Sequence, residues 1–444
     1  MEKLSRYWQK LTPLTRNLLL FTVFNIFISS ILLMLVFATR WKDTGLYHTL
    51  VEFVTFHQNS DSWRTMRAAL KAPKIYSVFF DQGLKFQYPP TSLLIIKFIP
   101  QSWLLSVISW ILTIVNVVFC VKIFQMSLAW HTVQTLDRSP PSKAETTLQI
   151  FILCCLGFTF YPIMKAFSLG QVQTWINAAF AITVWAWMTQ KKVLAGFLTG
   201  LTCCLKPQSF LLVLWGVLRQ QWQFTIAAIA TLSVVFLCSI SLFGFANHLD
   251  YLKVLSFISK HGESLFANHS VNGVLNRLLF NGDNLTWNSK TFAPYHPVVY
   301  FGTLISSLFF VITSLIPPKS REAYGGTIDL STLALSATIA SPVVWEHHYG
   351  ILLPIYAFLL PCLIQRPVFG KFTLPYLCLS YILTSNHFEF TDFFAPIPIL
   401  NILQSYRLIG GLMVLVCLHR LRSGRALAQK TEDLSRDHLD LSSN

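Results

Sequence analysis

Long runs without a charged side chain constrain this chain more than any other feature. Five of them reach the roughly 20 residues that an α-helix needs to cross about 30 Å of hydrocarbon. These runs are residues 17–39, 98–121, 166–190, 220–247 and 291–318. Only 12% of the 444 residues are charged, against about 25% in an average soluble domain. The pattern predicts an all-α polytopic membrane protein and excludes a soluble fold.

The excess of cations has two interpretations. The chain carries 34 Lys and Arg against 19 Asp and Glu, a net charge of +15, which in a soluble protein would suggest nucleic acid. In a membrane protein such an excess lies in cytoplasmic loops. We therefore expect the lipid bilayer as a partner and no nucleic acid. All nine cysteines lie in apolar stretches, which is typical of small core residues rather than of a disulfide or metal framework.

Positive charges near the ends of the apolar runs predict the topology. Lys3, Arg6, Lys10 and Arg16 place the amino terminus in the cytoplasm. From that start, ten spans return the chain to the cytoplasm at short loops rich in Lys, Arg or His. The predicted spans are 17–39, 98–122, 147–164, 172–189, 222–244, 298–316, 327–343, 349–364, 372–386 and 397–418. The carboxyl terminus is then cytoplasmic as well, in the inner (plasma) membrane of a bacterium.

Two uncharged stretches between Lys192 and Arg219 are each too short to cross the membrane, and Lys206 separates them. We expect either a re-entrant hairpin or two broken spans, with Lys206 near the tip. The total is about 10 to 12 transmembrane helices. They form a single domain, residues 1–422, and a polar cytoplasmic tail follows at 423–444.

The same topology assigns five segments to the outer face, and most of the unusual polar residues lie in them or just inside an adjoining span. These segments are 40–91, 165–171, 245–297, 345–348 and 387–396. In the first one, Leu46, Leu50, Phe53 and Val54 recur with helical spacing. This spacing predicts an amphipathic helix that lies on the membrane surface.

Asp61 stands in the first outer loop, well separated from the nearest span. A carboxylate in this position can serve as a catalytic base, or it can cap a helix, since Asp before Ser-Trp-Arg suits an N-cap. Position alone leaves both interpretations open. Tyr88 lies at the end of the same loop in Phe-Gln-Tyr-Pro-Pro. The prolines have a structural role because they cannot continue a helix, and Tyr88 is a candidate substrate contact.

Amide side chains mark two further outer segments. Gln171 lies in a tight turn between two predicted spans, and Gln173 and Asn177 are one helical turn apart. Such amides either pair with neighbouring helices or contact a ligand, so Gln171 and Gln173 are candidate substrate contacts. Asn268, Asn272 and Asn276 recur at i, i+4 and i+8. This stripe predicts a solvated loop helix, with substrate contact by Asn268 and Asn272 as the alternative.

The sharpest local signal is Glu346 followed by His347 and His348, between two apolar spans. Ionisable residues at that depth need a wet cavity. Adjacent histidines on a helix do not face one metal ion, and the spacing H-E-x-x-H is absent, so we expect catalysis or sugar binding rather than zinc.

Three cations also lie at span ends or within spans. Lys165 stands at an outer span end, Lys206 near the hairpin tip and Arg407 inside the last span. A Lys at a span end often extends to the interface. Cations inside the membrane are typical of functional sites, and an anionic lipid headgroup would be their natural partner.

The order of these motifs resembles that of the bacterial polytopic glycosyltransferases of family 87. An Asp precedes the stretch RAALKAPKIY, and after it come QYPP, GQVQ, KKVLAGFLTGLTCCLKPQSFLLVLWGVLRQQW, NHSVNG and SPVVWEHH. The resemblance covers residues 17–365. Two positions differ from the usual family pattern: Gln173 stands where Asn is more common, and Glu346 stands where Asp is more common. The first difference leaves the sugar preference open, whereas the second retains the charge.

The resemblance implies a fold and an activity. It implies a GT-C-like bundle and a hexosyltransferase that uses a polyprenyl-phosphate sugar, commonly mannose, at the outer face. It also implies that Asp61 is the catalytic base. The acceptor would be a lipid or a glycan.

The chemistry agrees with the residues independently of the family. Transfer from a lipid monophosphate to a hydroxyl needs one carboxylate to take the proton, because phosphate is already a good leaving group. Lys165, Lys206 and Arg407 can then stabilise the developing phosphate charge, assisted by His347 or His348. The chain has no DxD cluster, and we predict no metal and no cofactor.

Two rival functions remain open at this point. In a transporter or glycolipid flippase, Glu346, His347 and His348 would form a proton relay and Arg407 would bind the substrate's charge. A first outer loop of about 50 residues is hard to explain in that case. In a ligase or polymerase of surface polysaccharide, the donor would be a diphosphate-linked glycan.

Overall fold

A computed structural model describes residues 8, 11–39, 45–134, 141–288, 290–316, 323–365 and 367–441. Within these ranges the regular structure is helical, apart from one isolated antiparallel bridge between Asn268 and Trp345. The prediction of an all-α polytopic membrane protein is confirmed. The start of the predicted first outer loop, 40–44, and the last residues of the predicted tail, 442–444, lie outside the described residues.

The α-helices vary widely in length. They are α1 (Pro13–Thr39), α2 (Leu46–Val54), α3 (Asp61–Lys71), α4 (Ser77–Phe80), α5 (Leu93–Phe98), α6 (Ser102–Gln134), α7 (Lys143–Phe158), α8 (Tyr161–Ser168), α9 (Gln173–Met188), α10 (Lys192–Leu205), α11 (Phe210–Leu218), α12 (Trp222–Phe243), α13 (Phe245–His261), α14 (Val271–Leu278), α15 (Pro297–Leu315), α16 (Ala323–Ile339), α17 (Leu352–Gln365), α18 (Thr373–Ser385) and α19 (Tyr406–Leu441). Short 3₁₀ helices cover Pro90–Ser92, Pro207–Ser209, Glu346–Ile351, Gly370–Phe372, Glu389–Phe394 and Leu400–Ser405.

Six helical segments of the described chain are long and apolar enough to cross a membrane. They are Pro13–Leu32, Ser102–Trp130, Trp222–Phe243, Pro297–Leu315, Glu346–Ile364 and Leu400–Ser423. The pair α7 and α8, which is bent by 52°, would form a seventh span. The predicted total of ten to twelve is not confirmed, because α9, α16 and α18 have only 16, 17 and 13 residues.

The predicted span 147–164 is wrong as a single helix. It is divided into α7, which ends at Phe158, and α8, which begins at Tyr161. Pro162 occupies the first turn of α8. Proline fits the first turn of a helix but not its interior, where it removes a hydrogen bond and clashes with the preceding turn. The break makes α8 a separate short helix.

The predicted break at Lys206 is present in the structure. Lys206 follows the last residue of α10 in an extended conformation, with φ −144° and ψ 95°. Pro207 comes next and begins a 3₁₀ turn that leads into α11. A residue before proline is disfavoured in the α region, so the sequence itself interrupts the helix here.

Two clusters of buried apolar side chains organise the bundle. The larger one joins α1 and helices α6 to α9 with α16 to α19. The smaller one includes Trp63, Phe86, Ile176 and Val343, and packs the first outer loop against α9 and the segment before Trp345. Only 11% of the apolar window of α12 and 17% of that of α15 are buried, so these two helices present their apolar side chains to lipid.

One prediction about the peripheral segments needs correction. The spacing of apolar residues correctly predicts helix α2 but not its buried face, because Thr49, Glu52 and Phe53 are buried while Val54 is 81% exposed. Ser168 in α8 donates a hydrogen bond to the Glu52 carboxylate, so α2 packs on the protein through a polar contact. Residues 423–441 continue helix α19, and the polar cytoplasmic tail stays a prediction.

Candidate active site

Asp61 is the first residue of α3, and the backbone around it is attached to the turn between α8 and α9. Asn59 N donates to Ser168 O at 2.8 Å, and Asp61 N donates to Leu169 O at 3.0 Å. Gly170 is required in this turn, because its φ is +65° and a Cβ atom would lie 2.0 Å from Asn59 O. Ser60, not Asp61, is the N-cap of α3. Capping is therefore not the role of Asp61.

The Gln171 side chain connects Asp61 to Tyr88. Its Oε1 accepts hydrogen bonds from Ser62 Oγ at 2.7 Å and from the Tyr88 hydroxyl at 3.0 Å. Both donors bind the oxygen, so they orient the amide nitrogen of Gln171, and Gln171 also hydrogen-bonds the Asp61 carboxyl group. We call Asp61, Ser62, Tyr88, Gln171 and Lys165 the Asp61 centre.

The electrostatic surroundings of Asp61 suit a base. Burial raises the pKa of its carboxyl group, while Arg64, the hydrogen bond from Gln171, and Lys165 lower it. None of the ion pairs within the described ranges includes Asp61. A partly buried carboxylate without a tightly bound cation retains its capacity to accept a proton.

Lys206 is attached to the amide pair predicted on α9. Lys206 Nζ donates to Gln173 Oε1 at 3.1 Å, and Gln173 Nε2 donates to Asn177 Oδ1 at 2.8 Å. Asn177 Nδ2 in turn lies 3.5 Å from the carbonyl oxygen of His347. In the part of the chain that the structure describes, no carboxylate forms an ion pair with Lys206. Burial lowers the pKa of the Lys206 ammonium group to about 7, and a bound anion would favour its charged form.

Lys206 and Gln173 line a cavity between α9, α10, α11 and α16. Its walls carry apolar side chains, including Ile176, Phe180 and Leu212, together with several threonines. The threonine hydroxyls donate to carbonyl groups of their own helices, as Thr199 does to Ala195 and Thr338 does to Ala334. Because these hydroxyls are already hydrogen-bonded, the cavity offers an apolar surface with a cation at its edge.

Glu346 and Arg407 form a buried ion pair, and the pair differs from what the sequence predicted. Arg407 Nη1 lies 2.5 Å from Glu346 Oε1, and the Arg407 side chain is fully buried. Glu346 Oε1 also lies 3.2 Å from His387 Nδ1, and Tyr161 donates to Glu346 Oε2 at 3.3 Å. Arg407 Nη2 donates to Asn386 O at 2.7 Å. We call these five residues, together with His269, the Glu346 centre.

His269 completes the Glu346 centre as a neutral side chain. Its Nε2 lies 2.9 Å from Arg407 Nη1. A guanidinium only donates, so His269 accepts at Nε2. Burial lowers the pKa of His269 to about 3. Among the described residues, Glu346 is the only carboxylate that forms an ion pair with Arg407, and the two charges neutralise each other.

His347 and Lys165 connect the two centres electrostatically, and His348 lies beside His347. His347 is within electrostatic range of Lys206, Lys165 and Arg407. His348 Nδ1 accepts a hydrogen bond from Trp345 N at 3.2 Å, and the two histidine rings meet edge to face at 4.8 Å. Lys165 Nζ lies 6.0 Å from the centroid of the Tyr161 ring. The structure thus brings most of the predicted site residues to one side of the bundle.

Asn268 and Asn272 are fully buried, so the predicted solvated stripe is wrong. Helix α14 begins at Val271, and Asn268 precedes it. Asn268 donates to Glu263 O at 2.7 Å and accepts from Val344 N at 2.8 Å. Asn272 accepts from Asn276 at 2.8 Å and donates to Thr303 at 3.2 Å. The Asn268 bonds attach the loop before α14 to the segment before Trp345, and the Asn272 bonds join α14 to α15. Substrate contact by Asn268 and Asn272 stays a prediction.

Sequence reasoning did not identify Ser62, Tyr161, His269 and His387. Ser62 directly follows Asp61 and His269 lies in NHSVNG, but neither was singled out, because the partners of all four residues are distant in the chain. His387 had one usable signal, since it lies in a segment that the topology assigned to the outer face. Among the described residues, no three His, Cys, Asp or Glu side chains are placed to hold a metal ion.

The helical bundle and the polar cluster within it define a polytopic membrane protein with a buried polar site. The sequence identifies its family. The family model described as glycosyltransferase family 87 matches residues 86–342, more than half of the chain. The chain therefore belongs to glycosyltransferase family 87 and is a membrane glycosyltransferase, which confirms the resemblance.

A curated relative has a more specific name. The chain is 22% identical over 322 residues, 71% of each chain, to the polyprenol-phosphate-mannose-dependent alpha-(1-2)-phosphatidylinositol mannoside mannosyltransferase of Mycobacterium tuberculosis (strain ATCC 25618 / H37Rv).

Proposed function

We propose that this glycosyltransferase moves mannose from a polyprenyl-phosphate donor to a hydroxyl of a lipid-linked or glycan acceptor. The observation that carries the proposal is the combination of Asp61, a carboxylate outside any described ion pair, with Lys206, a cation at the edge of an apolar cavity. A base and a phosphate ligand are the two groups that this transfer needs. The name of the mycobacterial relative supports the donor and a lipid-linked acceptor.

The reaction is a single displacement. Asp61 takes the proton of the acceptor hydroxyl as the hydroxyl oxygen attacks the anomeric carbon of mannose. The bond between that carbon and the phosphate oxygen breaks, and the electron pair leaves with the polyprenyl phosphate. Attack opposite the leaving group inverts the anomeric configuration. Asp61 ends protonated and returns its proton to water.

Lys206 stabilises the negative charge that the leaving phosphate gains. Its ammonium group has only the neutral Gln173 as its side-chain hydrogen-bond partner in the described chain, so the phosphate would be its counter-charge. Lys165 and His347 lie close enough to assist. Arg407 is a poor candidate because Glu346 already neutralises it. In a low-dielectric site an unpaired cation stabilises such charge far more than it would in water.

We expect the first isoprene units of the donor to enter the cavity beside Lys206. Its volume is about 40 Å³, room for a few water molecules, so an isoprene unit would require the surrounding helices to separate. The cavity is lined by apolar side chains and by threonines whose hydroxyls are already bonded, so an isoprenoid would leave no hydroxyl without a partner, and its phosphate would remain at the lysine. We further propose a GT-C architecture, metal-independent transfer at the outer face of a bacterial inner membrane, and both termini in the cytoplasm.

The proposal is tested with purified protein in detergent or proteoliposomes. The assay contains radiolabelled polyprenyl-phosphate mannose, a phosphatidylinositol mannoside acceptor and EDTA, with no ion gradient. We expect labelled mannose in the acceptor, and turnover without a gradient excludes the transporter or flippase. A protein that transfers only from diphosphate-linked glycans would be the ligase or polymerase instead. If activity requires an added divalent metal ion, only the proposal of metal-independent transfer is contradicted.

A further inference from the structure

The loop that follows α14 presents an exposed tryptophan on a firmly attached turn. Asp283 Oδ1 accepts hydrogen bonds from Leu285 N and Thr286 N, each at 2.9 Å. Ser264 Oγ donates to Asp283 O at 2.7 Å, and Phe266 N donates to Asn284 O at 2.8 Å. Trp287 follows this turn, and its side chain is 51% exposed. The four hydrogen bonds fix the position of this turn, so the large apolar ring of Trp287 is held at an exposed position.

A buried ion pair between the two long outer loops supports the Trp287 ring. Lys85 Nζ lies 2.5 Å from Glu263 Oε2, and the two side chains are only 6% and 7% exposed. The same Lys85 Nζ lies 4.2 Å from the centroid of the Trp287 ring. Desolvating an ion pair is costly, and the pair holds the ammonium group against the indole. Lys85 thus holds the Trp287 ring in place, and about half of the side chain remains exposed.

Trp345 connects this ring to the active-site turn. The two indole rings meet edge to face at 5.3 Å, with an angle of 75° between their planes. Trp345 directly precedes Glu346, and its backbone N–H donates to His348. Trp345 also packs in the apolar cluster that contains Tyr88 of the Asp61 centre. A ligand that covers Trp287 would therefore lie beside the ring that directly precedes Glu346.

We propose that Trp287 and Trp345 form an aromatic platform that binds a hexopyranose ring of the acceptor. The proposal rests on the proposed function and makes the acceptor a glycan or glycolipid rather than a simple lipid alcohol. The C–H groups on the apolar face of a pyranose carry partial positive charge, which the negative face of an indole attracts. The rival role for Trp287 is that of an aromatic anchor at the membrane interface.

Substitutions at Trp287 separate these two roles. Trp287→Phe keeps an aromatic face, whereas Trp287→Leu keeps apolar surface without one. Tyr295→Ala is the matched control, because Tyr295 is an exposed aromatic of the same loop whose ring contacts Tyr300 rather than Trp345. If Trp287 binds sugar, the Trp287→Phe variant should still bind mannoside and the Trp287→Leu variant should bind it weakly. If Trp287 is only a membrane anchor, the two variants should bind mannoside equally well.

The first measurement is binding alone, by saturation-transfer NMR with methyl α-mannopyranoside and the purified full-length protein. The ring C–H signals should receive saturation from the parent, from Trp287→Phe and from Tyr295→Ala, and at least threefold less from Trp287→Leu, in keeping with the roughly 2- to 10-fold worth of an aromatic contact. Equal signals for Leu and Phe, or no saturation in the parent, would overturn the platform. This readout does not depend on catalysis.

The second measurement is kinetic and uses the mannosyl-transfer assay with a phosphatidylinositol mannoside. Trp287→Leu should raise the acceptor KM roughly 3- to 10-fold and leave the donor KM unchanged. An unchanged acceptor KM would also overturn the platform. If the parent protein binds the mannoside but transfers no mannose, the proposed function is wrong and the aromatic platform is still supported.

Discussion

The Asp61 centre and the Glu346 centre lie close together and contain similar residue types, yet they differ in how their charges are balanced. Asp61 is partly exposed and has no ion-pair partner in the described chain, and its pKa is raised by burial. Glu346 is buried against Arg407 and accepts contacts from Tyr161 and His387. A carboxylate that is already neutralised cannot take a proton easily. The comparison therefore supports our proposal that Asp61 is the base, and it favours a positioning role for Glu346.

The largest effect is expected for Asp61→Asn. The amide keeps the shape of the side chain but cannot accept the proton, so kcat should fall roughly 10²- to 10⁴-fold. Thermal stability and donor KM should remain those of the parent. Asp81→Asn, which alters an exposed carboxylate of the same loop, is the control. Activity within about threefold of the parent would exclude Asp61 as the base and direct attention to Glu346.

Glu346→Gln should affect stability more than kinetics. It leaves the Arg407 guanidinium buried without a counter-charge, which costs about 3–5 kcal/mol. The melting temperature should drop, while donor KM of the folded fraction stays near the parent value. The double variant Glu346→Gln/Arg407→Gln removes both charges and should recover part of the loss. If Glu346→Gln melts at the parent temperature but has a raised donor KM, the result would indicate that the donor phosphate binds at Arg407.

Lys206→Gln tests which cation binds the donor phosphate. Loss of a charge-assisted contact of about 2–4 kcal/mol should lower kcat/KM for the donor roughly 30- to 1000-fold. Both kcat and KM should change, because the contact exists in the ground state and strengthens in the transition state. Lys206→Arg should lose less. Lys97→Gln, at an exposed lysine, is the control. Early melting with normal donor kinetics would contradict the phosphate role.

The smallest effect concerns the pH dependence of the Asp61 centre. Asp61 acts in its ionised form, so the rate should fall as the pH decreases through its raised pKa. Arg64 lowers that pKa, and Arg64→Gln should therefore shift the acid limb of kcat/KM to higher pH without changing the plateau. Arg67→Gln, on the same helix but hydrogen-bonded to Pro100 O, should not shift it. If the pH profiles of Arg64→Gln and Arg67→Gln are equal, the acid limb does not report the titration of Asp61.

Local signals predicted several parts of the site correctly. The break at Lys206 and the facing pair Gln173 and Asn177 both follow from residues a few positions apart. Prolines and helical periodicity act within one or two turns, so they can be read without knowledge of the fold. The predicted ten to twelve spans are not confirmed, because several helices are too short to be recognised as spans.

The partners of the charged residues could not be predicted in this way. Arg407 meets Glu346 from 61 positions away, and Lys85 meets Glu263 from 178 positions away. The Asn268 stripe looked solvated because its spacing is helical, yet its amides are fully buried against Val344 and Thr303. Nothing in the local pattern distinguishes a cation that has a carboxylate across the bundle from one that has none.

The sequence by itself determined that this protein is a helical membrane protein of glycosyltransferase family 87, with a lysine at a helix break. These features follow from the length of apolar runs, the conformational limits of proline and the order of motifs. Only the tertiary structure decided that Arg407 is neutralised by Glu346 and that Lys206 is not neutralised in the same way. The physical reason is that the free energy of a buried charge depends on its neighbours in space, which long-range packing selects.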